Sequence, residues 1–343
     1  MSNKKTIFIS LISDRDGGLE ESFVFYSNLL IEMRHEVFLL TPISAPYLSR
    51  INSLARRIKF HPKGYWDVFS AIRLSLIVRK YAPDIMLGYN SRASYYISGI
   101  AKLFSKTKSI GYSHSYKYKK LRFCDSIICV TEDMKSFFLD NGFKNRSVEV
   151  LPPIGLELEK NSEAHSTKDL NSDSIRVGFL GRMTPEKGIL KLIKAMSNVH
   201  LSKKIKLVIG GDGPEFEAAK NLSKQLGLDA YFIGWVKTKE NFFNQIDVLV
   251  IPSESETFGI VALEAMIRRI PVVSTPTNGA KSIIVDGKSG LISDGFDEIS
   301  LSRAIAKLDN LDLKIVVAEG HKRALSFDKE TVKGRFKATI DKL

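Results

Sequence analysis

The sequence predicts an α/β fold of two doubly wound parallel-sheet halves facing each other across a cleft. Short apolar runs alternate with helical patterns, as parallel strands joined by crossover helices do. The alternation breaks once, at Pro152-Pro153-Ile154-Gly155 and a Ser-, Asn- and Asp-rich stretch to Ser174, and then restarts. A chain of 343 residues has the length for two ordinary domains.

In the first half, the runs Thr6 to Ser10, Glu36 to Leu40, Asp84 to Leu87, Ser109 to Tyr112, Ser126 to Val130 and Val148 to Leu151 read as strands. Ser22 to Met33 and Val68 to Tyr81 read as amphipathic helices between them. The opening MSNKKTIFISLIS has two lysines before an apolar run, as a signal peptide does. Asp14-Arg15-Asp16 ends that run and no small-residue cleavage site follows, so it reads as a first buried strand. In the second half the strands are Ile175 to Leu180, Ile205 to Ile209, Tyr231 to Ile233, Val248 to Ile251, Pro271 to Ser274 and Gly290 to Ile292. These readings set domains at 1–155 and 175–325, with 156–174 as the linker.

A hydrophobic content of 44% and a charged content of 26% describe a soluble globular protein. No apolar run reaches the ~18–20 residues that span a bilayer. The two cysteines, Cys124 and Cys129, fit neither a zinc ribbon nor a Cys-x-x-Cys pair. They read as reduced core thiols of a cytoplasmic protein.

The segment from Val248 to Ile292 carries the most chemistry. Glu256 and Glu264 bracket Phe258-Gly259-Ile260; a strand precedes the first carboxylate and a helix starting near Gly259 carries the second. Free N–H groups at a helix start hold anions, and carboxylates accept hydrogen bonds from hydroxyls. A ligand with hydroxyls at both ends and a phosphate between them suits this pattern. Upstream, Gly178-Phe179-Leu180-Gly181-Arg182 ends a strand and Thr184-Pro185-Glu186-Lys187-Gly188 opens a helix, which aims Arg182 and Lys187 into the cleft. Gly210-Gly211-Asp212-Gly213-Pro214 follows the next strand as a turn whose glycines permit a close backbone approach. It is no GxGxxG fingerprint, and nothing suggests a nicotinamide cofactor. Gly234-Trp235-Val236 follows a further strand, with Trp235 as a rim or core aromatic. Asp16-Gly17-Gly18-Leu19-Glu20 after the first strand lets a ligand approach the backbone, or is a tight turn. His114, in GYSHSY, ends a first-half strand.

Together these elements resemble the retaining, nucleotide-sugar-dependent glycosyltransferases of family 4 (glycosyltransferase group 1), marked by Glu-x7-Glu. The resemblance implies a GT-B fold of two Rossmann-like domains, the first binding acceptor and the second donor. It implies that the final helix, 326–343, returns to the first domain. It assigns Arg182 and Lys187 to the donor diphosphate, the backbone at Phe258, Gly259 and Ile260 to the distal phosphate, and Glu264 to the ribose. Glu256 and His114 lie by the transferred sugar, Gly17 and Gly18 face the phosphates and acceptor, and Gly211, Gly234 and Trp235 line the nucleotide. The resemblance implies a UDP-sugar donor, with a GDP-sugar as the alternative, and a retained anomeric configuration. Attack comes on the front face, and the leaving phosphate takes the acceptor's proton. It implies no required cofactor and no structural metal, so the Asp14-x-Asp16 metal-site mimic is discounted. Two positions depart from the family pattern: Asn278-Gly279 stands where a Gly pair is common, and Ser282 where a Glu is. A nucleotide-sugar epimerase, a phosphorylase and a non-enzymatic nucleotide-sugar or polyanion-binding protein are the competing readings.

The net charge of +13 is unevenly spread. Val37 to Cys124 holds sixteen Lys and Arg against two acids, Asp67 and Asp84, a net of +14 that leaves the rest nearly neutral. Arg50 to Gly64 and Ala101 to Phe123 are the basic stretches. They read as a solvated face, as nucleic-acid binding through Tyr112, Tyr116 and Tyr118 among lysines, or as contact with anionic lipid. Beside the resemblance, lipid is favoured over nucleic acid. The expected acceptor is a growing surface glycan, lipid-linked, made at the cytoplasmic face of a bacterial inner membrane.

Overall fold

A computed structural model describes residues 4–157 and 173–343. The chain forms two compact units, Met1–Gly155 with Lys329–Leu343, and Leu156–Asp328. Most of the linker expected at 156–174 lies outside the described residues.

Unit 1 contains β1 (Thr6–Ser10), α1 (Gly18–Glu32), β2 (Glu36–Thr41), β3 (Arg56–Lys59), α2 (Val68–Tyr81), β4 (Ile85–Gly88) and α3 (Ser91–Ala101). After these come β5 (Lys108–Ser113), β6 (Ser126–Cys129), α4 (Glu132–Phe138) and β7 (Ser147–Val150). Its seven strands are all parallel, in the order β3-β2-β1-β4-β5-β6-β7. Strands such as β1 and β4 are covered on both faces, which is why they read as near-continuous apolar runs. The edge strand β3 escaped the sequence reading: Arg-Arg-Ile-Lys has one apolar residue, and its backbone pairs only with β2. Tyr112 is buried in the core, Tyr116 donates to Asp133 and Tyr118 packs on Phe137. The tyrosines of the basic stretch therefore form no open stacking platform. Cys124 and Cys129 are free and buried, and burial pushes both thiols up to about 12.

Unit 2 runs β8 (Ser174–Leu180), α5 (Ile189–Ser197), β9 (Lys204–Gly210), α6 (Phe216–Gln225), β10 (Ala230–Gly234), α7 (Lys239–Phe243) and β11 (Val248–Ile251). It continues with α8 (Ile260–Ile267), β12 (Val272–Ser274), α9 (Asn278–Ile283), β13 (Leu291–Ile292), α10 (Glu298–Ala306) and α11 (Leu313–Leu325). The sheet is parallel, in the order β10-β9-β8-β11-β12-β13. Val177, Phe179, Ile193, Leu207, Ile209 and Val250 lie in its core; full burial of each such side chain stabilises the fold by roughly 1.5–3 kcal/mol. The last helix, α12 (Lys329–Asp341), belongs to unit 1, where the Phe336 ring centroid lies 4.7 Å from that of Tyr26.

Strand order reverses at β1/β4 in unit 1 and at β8/β11 in unit 2. Ligands of open parallel sheets bind beyond the strand ends at such points. The helix caps mark the same places. Asp67, Asn90, Thr131, Thr277, Asp297 and Asp312 each accept a first-turn amide of the helix they precede. The helices α1, α5 and α8 follow Gly17, Gly188 and Gly259 instead, with no side-chain cap. Among the described residues no helix is long and apolar enough to cross a membrane.

Candidate active site

In unit 2, the loops after β8, β9 and β10 are laced by their backbones. Gly181 N donates to Gly210 O (3.1 Å), Met183 N to Asp212 O (2.8 Å), Glu215 N to Met183 O (3.0 Å) and Gly211 N to Gly234 O (2.8 Å). Gly211 has φ +127°, and a Cβ there would stand 1.9 Å from Gly181 O. The Gly211 backbone thus lies directly against the loop after β8. It fixes the strand end from which Arg182 emerges, exposed. Gly234 has φ +74° and open space around it, and Trp235 beside it is 77% exposed.

Sequence reading expected a helix to open at Thr184–Gly188. Pro185–Lys187 instead form a 3₁₀ turn, and α5 begins after Gly188. That turn meets the loop after β11: Glu254 N donates to Glu186 O (2.9 Å), and a Cβ on Gly188 would come 2.4 Å from Pro252 O. The contact brings Lys187 Nζ to 2.5 Å from Glu256 Oε2. Both side chains are partly buried. A cation and a carboxylate 69 residues apart in sequence therefore meet at the point of strand reversal.

Phe258 is buried with its ring centroid 5.8 Å from that of Phe327, which anchors the turn into α8. Gly259 then adopts φ +85°, and Ile260 starts the helix. Gly279 N donates to Glu256 O (2.9 Å), so α9 braces the same turn. The departure at Ser282 is local: its hydroxyl donates to Gly279 O (2.7 Å) and its carbonyl accepts from Arg323 (2.7 Å). One turn into α8, Glu264 is paired with Lys239 at 2.7 Å. Arg268 donates to the Glu264 carbonyl and covers the Phe243 ring at 5.0 Å. Lys239 was missed by sequence reading. In VKTKENFF it looks like any polar helix start, and only the fold brings it to Glu264.

The unit 1 candidates stand at the ends of their own strands. Gly17 and Gly18 open α1 after β1. Asp16 pairs with Arg50, Ser13 Oγ donates to Glu20 (2.5 Å), and Asn90 from the far side of the strand reversal donates to Ile12 O (2.9 Å). His114 follows β5, its ring centroid 4.8 Å from that of Tyr112, with Nε2 buried and unpartnered among the described residues. Burial alone lowers its pKa from 6.5 to about 3, so it is neutral at physiological pH. Between these two values the unfolded chain binds the extra proton. The stability that neutral His114 contributes is therefore complete above pH 6.5 and falls away toward pH 3. His114→Gln should lose less stability than the parent on acidification from about pH 7 to 5. Thermal denaturation across that range checks this; parallel losses would contradict it.

The profile of the family described as Glycosyl transferases group 1 matches residues 160–315, and that of Glycosyltransferase Family 4 matches residues 16–154. The lipopolysaccharide core biosynthesis glycosyltransferase LpsE of Rhizobium meliloti (strain 1021) is 27% identical over 329 residues, covering 94% of this chain and 92% of the relative. LpsD of the same organism, with the same description, is 27% identical over 239 residues, covering 69% of this chain and 68% of its own. Among solved structures, Anabaena Alr3699/HepE in complex with UDP and glucose aligns with a TM-score of 0.79 at 17% identity, over 99% of this chain and 100% of that one. The fold is GT-B.

Proposed function

The chain belongs to the family 4, group 1 glycosyltransferases, and on that premise we propose that it moves a hexose from a UDP-sugar to a lipid-linked glycan with retention of configuration. The observation that carries this reading is the Lys187–Glu256 pair at the strand reversal of unit 2, flanked by the glycine-capped starts of α5 and α8. A donor diphosphate takes Glu256's place on Lys187, with Arg182 as second cation and the amides at Phe258, Gly259 and Ile260 on the distal phosphate. Glu256, released, faces the sugar hydroxyls. Glu264 accepts from the ribose hydroxyls. The UDP and glucose held by the Anabaena protein support the choice of donor. The relatives' role in lipopolysaccharide core synthesis supports the acceptor.

In the reaction the bond from the anomeric carbon to the β-phosphate oxygen breaks, and an acceptor hydroxyl bonds to that carbon on the same face. The hydroxyl's proton passes to the departing phosphate oxygen. Lys187 and Arg182 stabilise the charge that gathers on the diphosphate. The enzyme contributes chiefly orientation and fixed charge, and no protein nucleophile is needed.

The test supplies UDP-sugars with and without a lipid-linked glycan extract and follows UDP release and the product's anomeric configuration by NMR. Acceptor-dependent UDP release with a retained glycoside is expected. An epimerised sugar nucleotide without acceptor, a sugar phosphate made from glycan and phosphate, or an inverted glycoside would each replace this proposal.

A further inference from the structure

We propose that α2 and the residues just before it are the face by which this protein docks on the surface of an anionic lipid bilayer. Leu74 and Val78 are buried and hold α2 to the unit 1 core. The opposite face of such a helix should be polar. Here Phe69 is 88% exposed, Leu76 63% and Ile72 54%, in one stripe by their spacing of three and four. Trp66, 85% exposed, extends the stripe past the helix start. Arg73 and Lys80, seven residues apart and exposed, form a basic row beside it, and Arg79 lies toward its end. The helix contains no acid.

A second observation ties this stripe to the basic stretch that follows β5. Lys120 Nζ stands 4.4 Å from the ring centroid of Tyr65 and 5.0 Å from that of Tyr95. Tyr65 is the residue before Trp66, so the cationic segment Lys117–Arg122 adjoins the apolar stripe.

An exposed apolar stripe edged by arginine and lysine suits the boundary between headgroups and acyl chains. There Trp and Phe embed and each cation near anionic headgroups strengthens binding about fivefold. A second copy of this chain would bring the same positive row against itself, which opposes pairing. Nucleic acid has no use for Ile72 and Leu76, which offer no ring to stack on a base.

Vesicle binding needs neither donor nor acceptor, so the test stands apart from glycosyl transfer. In the full chain, Trp235→Phe leaves Trp66 as the only tryptophan. Its emission is recorded, and sedimentation measured, with phosphatidylcholine vesicles and with phosphatidylcholine–phosphatidylglycerol vesicles, at low and high salt. Binding to the anionic vesicles alone, weakened by salt, with Trp66 emission moving to shorter wavelength, is the expected result. Phe69→Ser with Leu76→Ser should bind at least about tenfold more weakly with unchanged melting. Arg73→Gln with Lys80→Gln should bind about 25-fold more weakly. The proposal is overturned if the parent does not sediment with anionic vesicles at low salt, or if Trp66 emission stays still while it does. Undiminished binding of the Phe69/Leu76 variant overturns it too, as does self-association through this face without vesicle binding.

Discussion

Lys187→Ala is expected to lower turnover about 100- to 1000-fold, the usual loss when one preorganised donor at a developing charge is removed. The ion pair sharpens the expectation. Lys187 and Glu256 neutralise each other at 2.5 Å with both side chains partly buried. On the proposed reading, alanine at 187 removes one of the diphosphate's two cations and also leaves Glu256 as an unpaired carboxylate facing an anionic ligand. Nucleotide affinity should therefore fall along with turnover. Removing both partners, Lys187→Ala with Glu256→Ala, should restore part of the affinity, because the repelling carboxylate is gone. Contacting charged pairs couple by about 0.5–3 kcal/mol. Calorimetric UDP binding to the parent, both single variants and the double variant measures that coupling. Strict additivity would mean that Lys187 and Glu256 act on the diphosphate independently of each other.

Gly211→Ala is expected to be the most damaging small substitution in unit 2. Its φ of +127° strains any side chain, and the new methyl would stand 1.9 Å from Gly181 O. Backbone strain of this kind costs about 1–3 kcal/mol. The clash adds to that by driving the Gly181–Arg182 strand end away. Gly234→Ala isolates the strain, since that residue also has positive φ but nothing within 4 Å of its Cβ. Gly211→Ala should thus melt well below Gly234→Ala, by several degrees if the clash adds about 2 kcal/mol. It should also bind nucleotide more weakly through displacement of Arg182. Equal melting of the two variants would show that the loops yield freely, and that they do not hold Arg182.

Much of this architecture is legible in the sequence because parallel strands are covered on both faces. Runs such as Val248–Ile251 carry no polar alternation to confuse the period. Helix α2 was legible to its ends, with Asp67 capping its start and Pro83 following its close. Its orientation was not legible. Apolar residues on both sides of the helix give the same periodic signal, and only packing decides that Leu74 and Val78 turn inward while Phe69, Ile72 and Leu76 face water. The edge strand β3 was hidden because half-exposed strands tolerate charge. In the site, Arg182, Lys187, Glu256 and Glu264 stood out by their place beside glycines and strand ends. What sequence spacing does not carry is partner choice. That Lys187 takes Glu256, that Lys239 takes Glu264, and that Gly211 accommodates Gly181 O all depend on loops drawn together by the sheet order.

The most direct measurement is a calorimetric titration of UDP, GDP, ADP and CMP into the parent protein and into Glu264→Ala. Glu264 lies one turn inside α8, where its carboxylate receives ribose hydroxyls if the diphosphate occupies the helix start. UDP is expected to bind the parent best, and Glu264→Ala to weaken it at least about tenfold, the worth of a hydrogen bond to a charged group. Equal UDP affinity in the two proteins, or no binding of any of the four nucleotides to the parent, would contradict it.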